Sequence, residues 1–135
     1  HLMIKAVQCL VDEGVVNNEV DSSLQHRTQF EEFVWQGRLA FFRDAKDIGN
    51  MQVLMGIARA MQLPLAEIQR VLDDGTALAA VCRDIELRDG FRVEGSPTYI
   101  LNEGRQKLYG NVGYRIIEAN LHEILKQPKM EASWC

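Results

Sequence analysis

Three cysteines are the residues most capable of chemistry in this sequence, and their spacing limits what they can do. Cys9, Cys82 and Cys135 lie far apart, and no Cys-X-X-Cys pair occurs in the chain. A reactive thiol usually has such a partner or a nearby cation that lowers its pKa, and structural zinc sites need more closely spaced ligands. The pattern predicts three reduced thiols, with Cys82 packed on an apolar helix face.

The remaining titratable residues form no pattern typical of a catalytic site. His26 and His122 lack a second ligand at metal spacing, and the acidic pairs 31–32 and 73–74 have no matching acid partner. The segment 110–113 has two glycines before a predicted helix, which falls short of a phosphate-binding fingerprint. We therefore expect no catalytic residue, no metal site and no cofactor.

Apolar residues recur at helical spacing along most of the chain before residue 91. This periodicity predicts about five helices, of which the first covers 3–13 and the second, longer one covers about 24–45. In the second helix, Gly37 is expected to allow a neighbouring helix to approach closely. Further helices are predicted after Asn50, after Pro64 and from Thr76 onward.

The pattern changes after Gly90. Residues 97–101 are rich in β-branched and aromatic types, 102–104 supply turn residues, and 106–109 can return as a second strand. A last helix is predicted from about 114 to 126, before a polar tail, with Ile117, Leu121, Ile124 and Leu125 facing inward. The predicted fold class is α/β and mostly helical, with one β-hairpin and a C-terminal helix.

Composition favours a single soluble domain of 135 residues with 47% hydrophobic and 25% charged content. We predict one domain over 1–135, made of a helical segment (1–91), a hairpin-and-helix segment (92–126) and a tail (127–135). The net charge of -4, with scattered basic residues, argues against nucleic acid as a partner. No apolar run is long enough to span a membrane. With no visible leader and unpaired cysteines, a cytoplasmic location is expected.

Residues 93–101, VEGSPTYIL, resemble the cis-proline loop and following strand of the DsbA family of thioredoxin-fold proteins. The segment 41–72 resembles that family's inserted helical domain, and the hairpin with the helix IIEANLHEIL resembles its closing β-β-α unit. This resemblance implies a partial DsbA-like thioredoxin fold over roughly 24–126, without the unit that carries Cys-X-X-Cys. By the same resemblance, Ser96, Pro97 and Glu94 are expected to contact substrate rather than to make bonds.

Three functions follow from these expectations. The first is a DsbA-type thiol-disulfide oxidoreductase that is inactive alone because its redox motif is absent from this chain. The second is a non-catalytic binding or assembly module, because a lone hairpin leaves two unpaired edges that another chain can complete, for example in a homodimer. Apart from the choice of function, an extended peptide or a thiol ligand is a candidate partner at the proline loop. The third is a glutathione-dependent isomerase-like protein.

Overall fold

The computed structural model describes residues 1–126. The predicted tail 127–135, with Cys135, lies outside the described residues. Within the described residues the chain is mostly helical with one small sheet, which confirms the predicted class. The six α-helices of this region are α1 (Leu2–Asp12), α2 (Gln29–Phe42), α3 (Met51–Ala60), α4 (Leu65–Asp73), α5 (Thr76–Gly90) and α6 (Tyr114–Leu125); the strands are β1 (Thr98–Leu101) and β2 (Gln106–Tyr109).

The start of α2 differs from the prediction. A single 3-10 turn occupies Ser22–Leu24, and α2 begins only at Gln29. Thr28 is its N-cap and forms a capping box with Glu31: the Glu31 backbone N–H donates to Thr28 Oγ1 at 3.2 Å, and the Thr28 N–H donates to Glu31 Oε2 at 2.8 Å. Because these bonds satisfy backbone groups that a helix start leaves unpaired, they fix the start at this point.

The chain divides into two compact units, His1–Asp84 and the residues from Ile85 onward. In the first unit, α1 packs against α2 and α4, and the core includes one face of each helix. The largest fully buried side chains of this core are Phe33, Met3, Leu10, Ile68, Val7 and Val71. An ion pair of 2.7 Å between Lys5 Nζ and Asp84 Oδ2 joins α1 to α5. The predicted single domain with its three segments stays a prediction.

Two expectations about helix faces were wrong. A Cβ added at Gly37 would meet no atom within 4 Å, so this glycine does not mark a close helix approach. On α5, the small residues Ala77 and Ala80 are buried, whereas Cys82 is exposed and Leu78 is 54% exposed. Since only a narrow alanine face of α5 enters the core, the larger apolar stripe predicted to pack lies at the surface instead.

The second unit contains the hairpin and α6. The strands pair antiparallel, as the sequence predicted, and their register places Thr98 opposite Tyr109 and Leu101 opposite Gln106. The turn between them places Asn102, Glu103 and Gly104 at positive φ. Over residues 85–126 no side chain is fully buried. Among the described residues, no helix is long and apolar enough to cross a membrane.

Candidate functional site

The loop before β1 contains all three residues predicted to contact substrate. Glu94, Ser96 and Pro97 are exposed, and the Ser96–Pro97 peptide bond is cis. The structure therefore brings these residues together at the surface, where a partner can reach them. Whether they contact a ligand stays a prediction.

Hydrogen bonds and close packing hold this loop against β2. The backbone N–H of Gly110 donates to the Pro97 carbonyl at 2.9 Å, and Thr98 Oγ1 donates to the Gly95 carbonyl at 2.6 Å. A Cβ added at Gly95 would lie 2.7 Å from the Tyr109 hydroxyl oxygen, so only glycine fits here without movement of that ring. The loop thus presents its exposed residues from a fixed backbone.

The hairpin register determines which backbone groups of β1 remain free. In an antiparallel pair, opposed residues alternate between those that exchange hydrogen bonds and those whose N–H and C=O point away. Because the Pro97 carbonyl bonds to Gly110, Tyr99 and Leu101 are the residues of β1 that face β2. Thr98 and Ile100 therefore direct their N–H and C=O groups to the outer edge of β1.

Ser96 continues this free edge. Its backbone N–H and C=O form no backbone hydrogen bond with any residue that the structure describes. We call these unpaired backbone groups, of Thr98 and Ile100 on the strand and of Ser96 in the bend before it, the β1 edge. Sequence reasoning identified Ser96 but missed Thr98 and Ile100, although the two-residue period of a strand was the signal that could have found them.

The helix of the second unit also remains open at its surface. Ile117 and Ile124 are half-buried, whereas Leu121 is exposed and Leu125 is 77% exposed; no residue of Tyr114–Leu125 is fully buried. The sequence predicted that all four would face inward. The second unit therefore leaves both strand edges and much apolar helix surface available to a partner.

The described cysteines do not form a reactive centre. Cys9 is half-buried, and its thiol pKa is raised, chiefly by burial and further by the nearby carboxylates of Asp12 and Glu13. A raised pKa lowers the fraction of nucleophilic thiolate. Cys82 is exposed. Within residues 1–126, no group of three or more His, Cys, Asp or Glu side chains is placed to hold a metal ion.

A groove of about 920 Å³ lies in the first unit, where polar residues of α2 face small and apolar residues of α3. One wall has Gln29, Glu32 and Gln36, and the other includes Gly56 and Ile57. Glu32 is only 9% exposed. Its carboxylate accepts hydrogen bonds from Arg27 Nη1 at 2.9 Å and from Gln36 Nε2 at 2.6 Å. Because its charge is paired in this way, Glu32 has a structural role in α2 rather than a catalytic one.

The chain is similar to a curated protein of described function, the ClpXP adapter protein SpxH of Bacillus licheniformis. The two are 33% identical over 114 residues, which cover 80% of this chain and 38% of the relative. The chain therefore spans about two fifths of that protein's length. No protein family model matches the chain. No solved structure matches it either.

These findings correct the family and function predicted from the proline loop. The similar protein is an adapter, and neither a family model nor a solved structure supports the DsbA-like fold. The assignment to DsbA-type oxidoreductases was therefore wrong. The glutathione-dependent isomerase hypothesis loses its basis as well, because it rested on the same resemblance. Gly-Ser-Pro-Thr consists of common loop residues, and amphipathic helices occur in many folds, so neither feature specifies a redox protein.

Proposed function

We propose that this chain is a non-catalytic protein-binding module of an adapter, and that it binds another polypeptide along the β1 edge. The observation that carries this proposal is the row of unpaired backbone groups at Ser96, Thr98 and Ile100. An unpaired edge strand is a template for an extended segment, which gains main-chain hydrogen bonds when it adds to the sheet. The similarity to an adapter supports the same class of function.

The physical need for such a partner comes from the small size of the sheet. A two-stranded hairpin is at best marginally stable alone, whereas three or more strands with an apolar face support one another. β1 carries the apolar side chains Tyr99, Ile100 and Leu101, all only half-buried. A third strand beside β1 covers part of this surface and satisfies backbone groups that otherwise bond only to water.

Ser96, Pro97 and Glu94 have separate roles in this proposal. The N–H and C=O groups of Ser96 pair with the end of the added strand. Pro97 has no N–H and directs its carbonyl to Gly110, so it contributes only side-chain contact. Glu94 is exposed beside this end and favours a basic residue in the partner.

Two partners fit the β1 edge. The first is ClpXP, which the name of the similar protein gives as its partner. The second is another copy of this chain, because antiparallel pairing of two β1 edges about a twofold axis gives a continuous four-stranded sheet. Measurements of self-association and of binding to ClpXP distinguish a homodimer from a complex with ClpXP.

The test compares two proline variants of the full chain. Ile100 and Lys107 lie directly opposite each other, and their N–H groups point to opposite outer edges of the hairpin. Ile100→Pro removes a donor from the β1 edge, and Lys107→Pro removes a donor from the β2 edge; neither removes a hydrogen bond between the strands. Biolayer interferometry against immobilised ClpXP and sedimentation at micromolar concentration then measure the two kinds of association.

We expect the unaltered chain to bind ClpXP or to dimerise, and Ile100→Pro to weaken that association about tenfold or more, a loss of about 1.4 kcal/mol. Lys107→Pro should leave it within about twofold of the original affinity. Circular dichroism establishes that both variants keep their helices. A chain that neither binds ClpXP nor self-associates, or equal losses in the two variants, would rule out the proposed edge.

A further inference from the structure

The two faces of the hairpin differ in how far they are covered. Along β2, Gln106 and Leu108 are half-buried, whereas Lys107 is exposed and Tyr109 is 65% exposed. Successive side chains of a strand point to opposite faces of the sheet, so this alternation marks one covered face and one open face. The Gln106 Oε1 atom is buried and has no hydrogen-bond partner among the described residues, which agrees with its place on the covered face.

The register assigns the residues of β1 to the same two faces. Leu108 lies opposite Tyr99, and Gln106 lies opposite Leu101. Residues that lie directly opposite each other in an antiparallel pair share a face. Tyr99 and Leu101 therefore belong to the covered face, where Leu108 is a third apolar side chain.

The open face has a different character. Thr98 lies opposite the exposed Tyr109, and Ile100 lies opposite the exposed Lys107. The Lys107 ammonium remains at this surface, where Nζ donates to the Arg92 backbone carbonyl at 2.8 Å. A strand added beside β1 thus has a half-buried apolar surface on one side and a water-exposed surface with a charged group on the other.

Backbone pairing increases this difference. Thr98 and Ile100 direct their N–H and C=O groups to the outer edge, so a strand added antiparallel exchanges hydrogen bonds with these two residues. Its residues opposite Tyr99 and Leu101 then form non-hydrogen-bonded pairs, in which the side chains lie closer together. The closest side-chain contacts of the added strand therefore fall on the covered face.

We infer that the β1 edge selects extended segments of a partner protein that carry apolar residues two positions apart, with polar residues between them. The apolar residues pack beside Tyr99 and Leu101 and extend the covered face, while the polar residues remain in water on the open face. A segment with adjacent apolar residues cannot do this in any register, because a shift by one residue exchanges the two faces. The inference rests on the proposed function and adds to it the sequence pattern of the partner.

The test uses the full chain and two fluorescein-labelled peptides of identical composition. Gly-Ser-Thr-Ile-Thr-Ile-Thr-Ser-Gly has its isoleucines two positions apart, and Gly-Ser-Thr-Ile-Ile-Thr-Thr-Ser-Gly has them adjacent. Only the first peptide can place both isoleucines on the covered face. Fluorescence anisotropy measures each dissociation constant, and we expect the first peptide to bind about tenfold more tightly because one more isoleucine leaves water.

Two threonine variants of β1 locate this preference. Leu101→Thr removes an apolar contact from the covered face and should reduce the ratio of the two dissociation constants to about threefold or less. Ile100→Thr is the matched control, because it makes a similar change one residue away on the open face, and should leave the ratio within about twofold of the original. Both variants keep the backbone N–H groups of β1.

The outcomes separate this inference from the proposed function. Equal binding of the two peptides, or equal changes of the ratio in Leu101→Thr and Ile100→Thr, would overturn the selectivity. The edge itself would stand in that case if Ile100→Pro still weakens binding of both peptides. Failure of both peptides to bind, or binding that Ile100→Pro does not weaken, would overturn the edge and the inference together.

Discussion

Glu32 Oε2 lies 2.9 Å from Arg27 Nη1, which joins a buried carboxylate of α2 to the loop that precedes it. The second carboxylate oxygen accepts from Gln36 Nε2 at 2.6 Å. A buried charge that loses its partners keeps the cost of its desolvation. This relationship links the α2–α3 groove to an aromatic contact, because Glu32 lines the groove while the guanidinium carbon of Arg27 lies 4.8 Å from the centre of the Trp35 ring.

Removal of the Glu32 carboxylate should therefore destabilise the first unit. We expect Glu32→Ala to lower the free energy of unfolding by about 1.5–3 kcal/mol, since hydrogen bonds to a charged group contribute in that range. Urea denaturation followed by circular dichroism measures the change. Glu19→Ala, at an exposed position, is the control and should remain within about 0.5 kcal/mol of the original chain. Equal stabilities of the two variants would contradict a structural role for Glu32.

Gly37→Ala should stabilise the chain. Gly37 lies inside α2, where an added Cβ meets no atom within 4 Å, and alanine is favoured over glycine inside helices by about 1 kcal/mol. We expect a gain of about 0.5–1 kcal/mol in the free energy of unfolding. Gly14→Ala is a useful contrast, because φ at Gly14 is +74° and alanine is strained there. A loss of stability in Gly37→Ala would show that another group approaches this face.

Asp74 should make the stability of the first unit depend on acid pH. Hydrogen bonds from the Thr76 side chain and backbone, with a smaller effect of Arg70, lower the pKa of the Asp74 carboxyl below the usual aspartate value of about 3.9. The folded state thus favours the ionised form. The resulting stabilisation is complete well above that usual value and is lost as pH falls through the lowered pKa.

Unfolding measured between about pH 6 and pH 2.5 should therefore show a smaller pH dependence in Asp74→Asn than in the original chain. Asp73→Asn serves as the comparison, because it removes the same charge at the neighbouring position, where the carboxylate accepts a hydrogen bond from the Gln69 amide on the same helix. Profiles that coincide for the original chain and Asp74→Asn would contradict this assignment.

The two described cysteines should differ in their reactivity with a thiol reagent. Cys82 is exposed, whereas Cys9 is half-buried with a raised pKa. In a Cys135→Ser background at pH 8, we expect a fast phase from Cys82 and a slower one from Cys9 in the reaction with Ellman's reagent. Cys82→Ser should remove the fast phase. Equal rates would show that the face around Cys9 is more open than the structure indicates.

The elements were largely predictable because their signals are local. Asn50 caps α3 through a hydrogen bond from the Gln52 N–H, as expected, and both strands of the hairpin lie at the predicted residues. The start of α2 was missed because the Thr28–Glu31 capping box was not recognised within a longer apolar pattern. The face of α5 was missed for another reason: its apolar stripe and its alanine stripe both have helical spacing, and only packing decides between them.

The candidate sites likewise combine residues that the sequence predicted with residues that only the folded structure revealed. Ser96 was identified from the loop sequence, but the roles of Thr98 and Ile100 depend on register, which follows from the partner strand rather than from β1 itself. The stacking of Arg27 on Trp35 was not predicted at all. The two residues are eight positions apart, with Arg27 before the N-cap of α2 and Trp35 inside the helix.

Local signals in the amino-acid sequence were enough to specify the order of five helices, a hairpin and a final helix, because caps, turns and apolar periodicity act over a few residues. The same sequence carried a loop motif that suggested the wrong family, since short loop sequences recur in unrelated proteins. Only the tertiary structure decided which helix faces are buried and which edge of the hairpin is free. It also placed Arg27 against Trp35. Those features depend on contacts between residues distant in the chain, whose energies no local pattern contains.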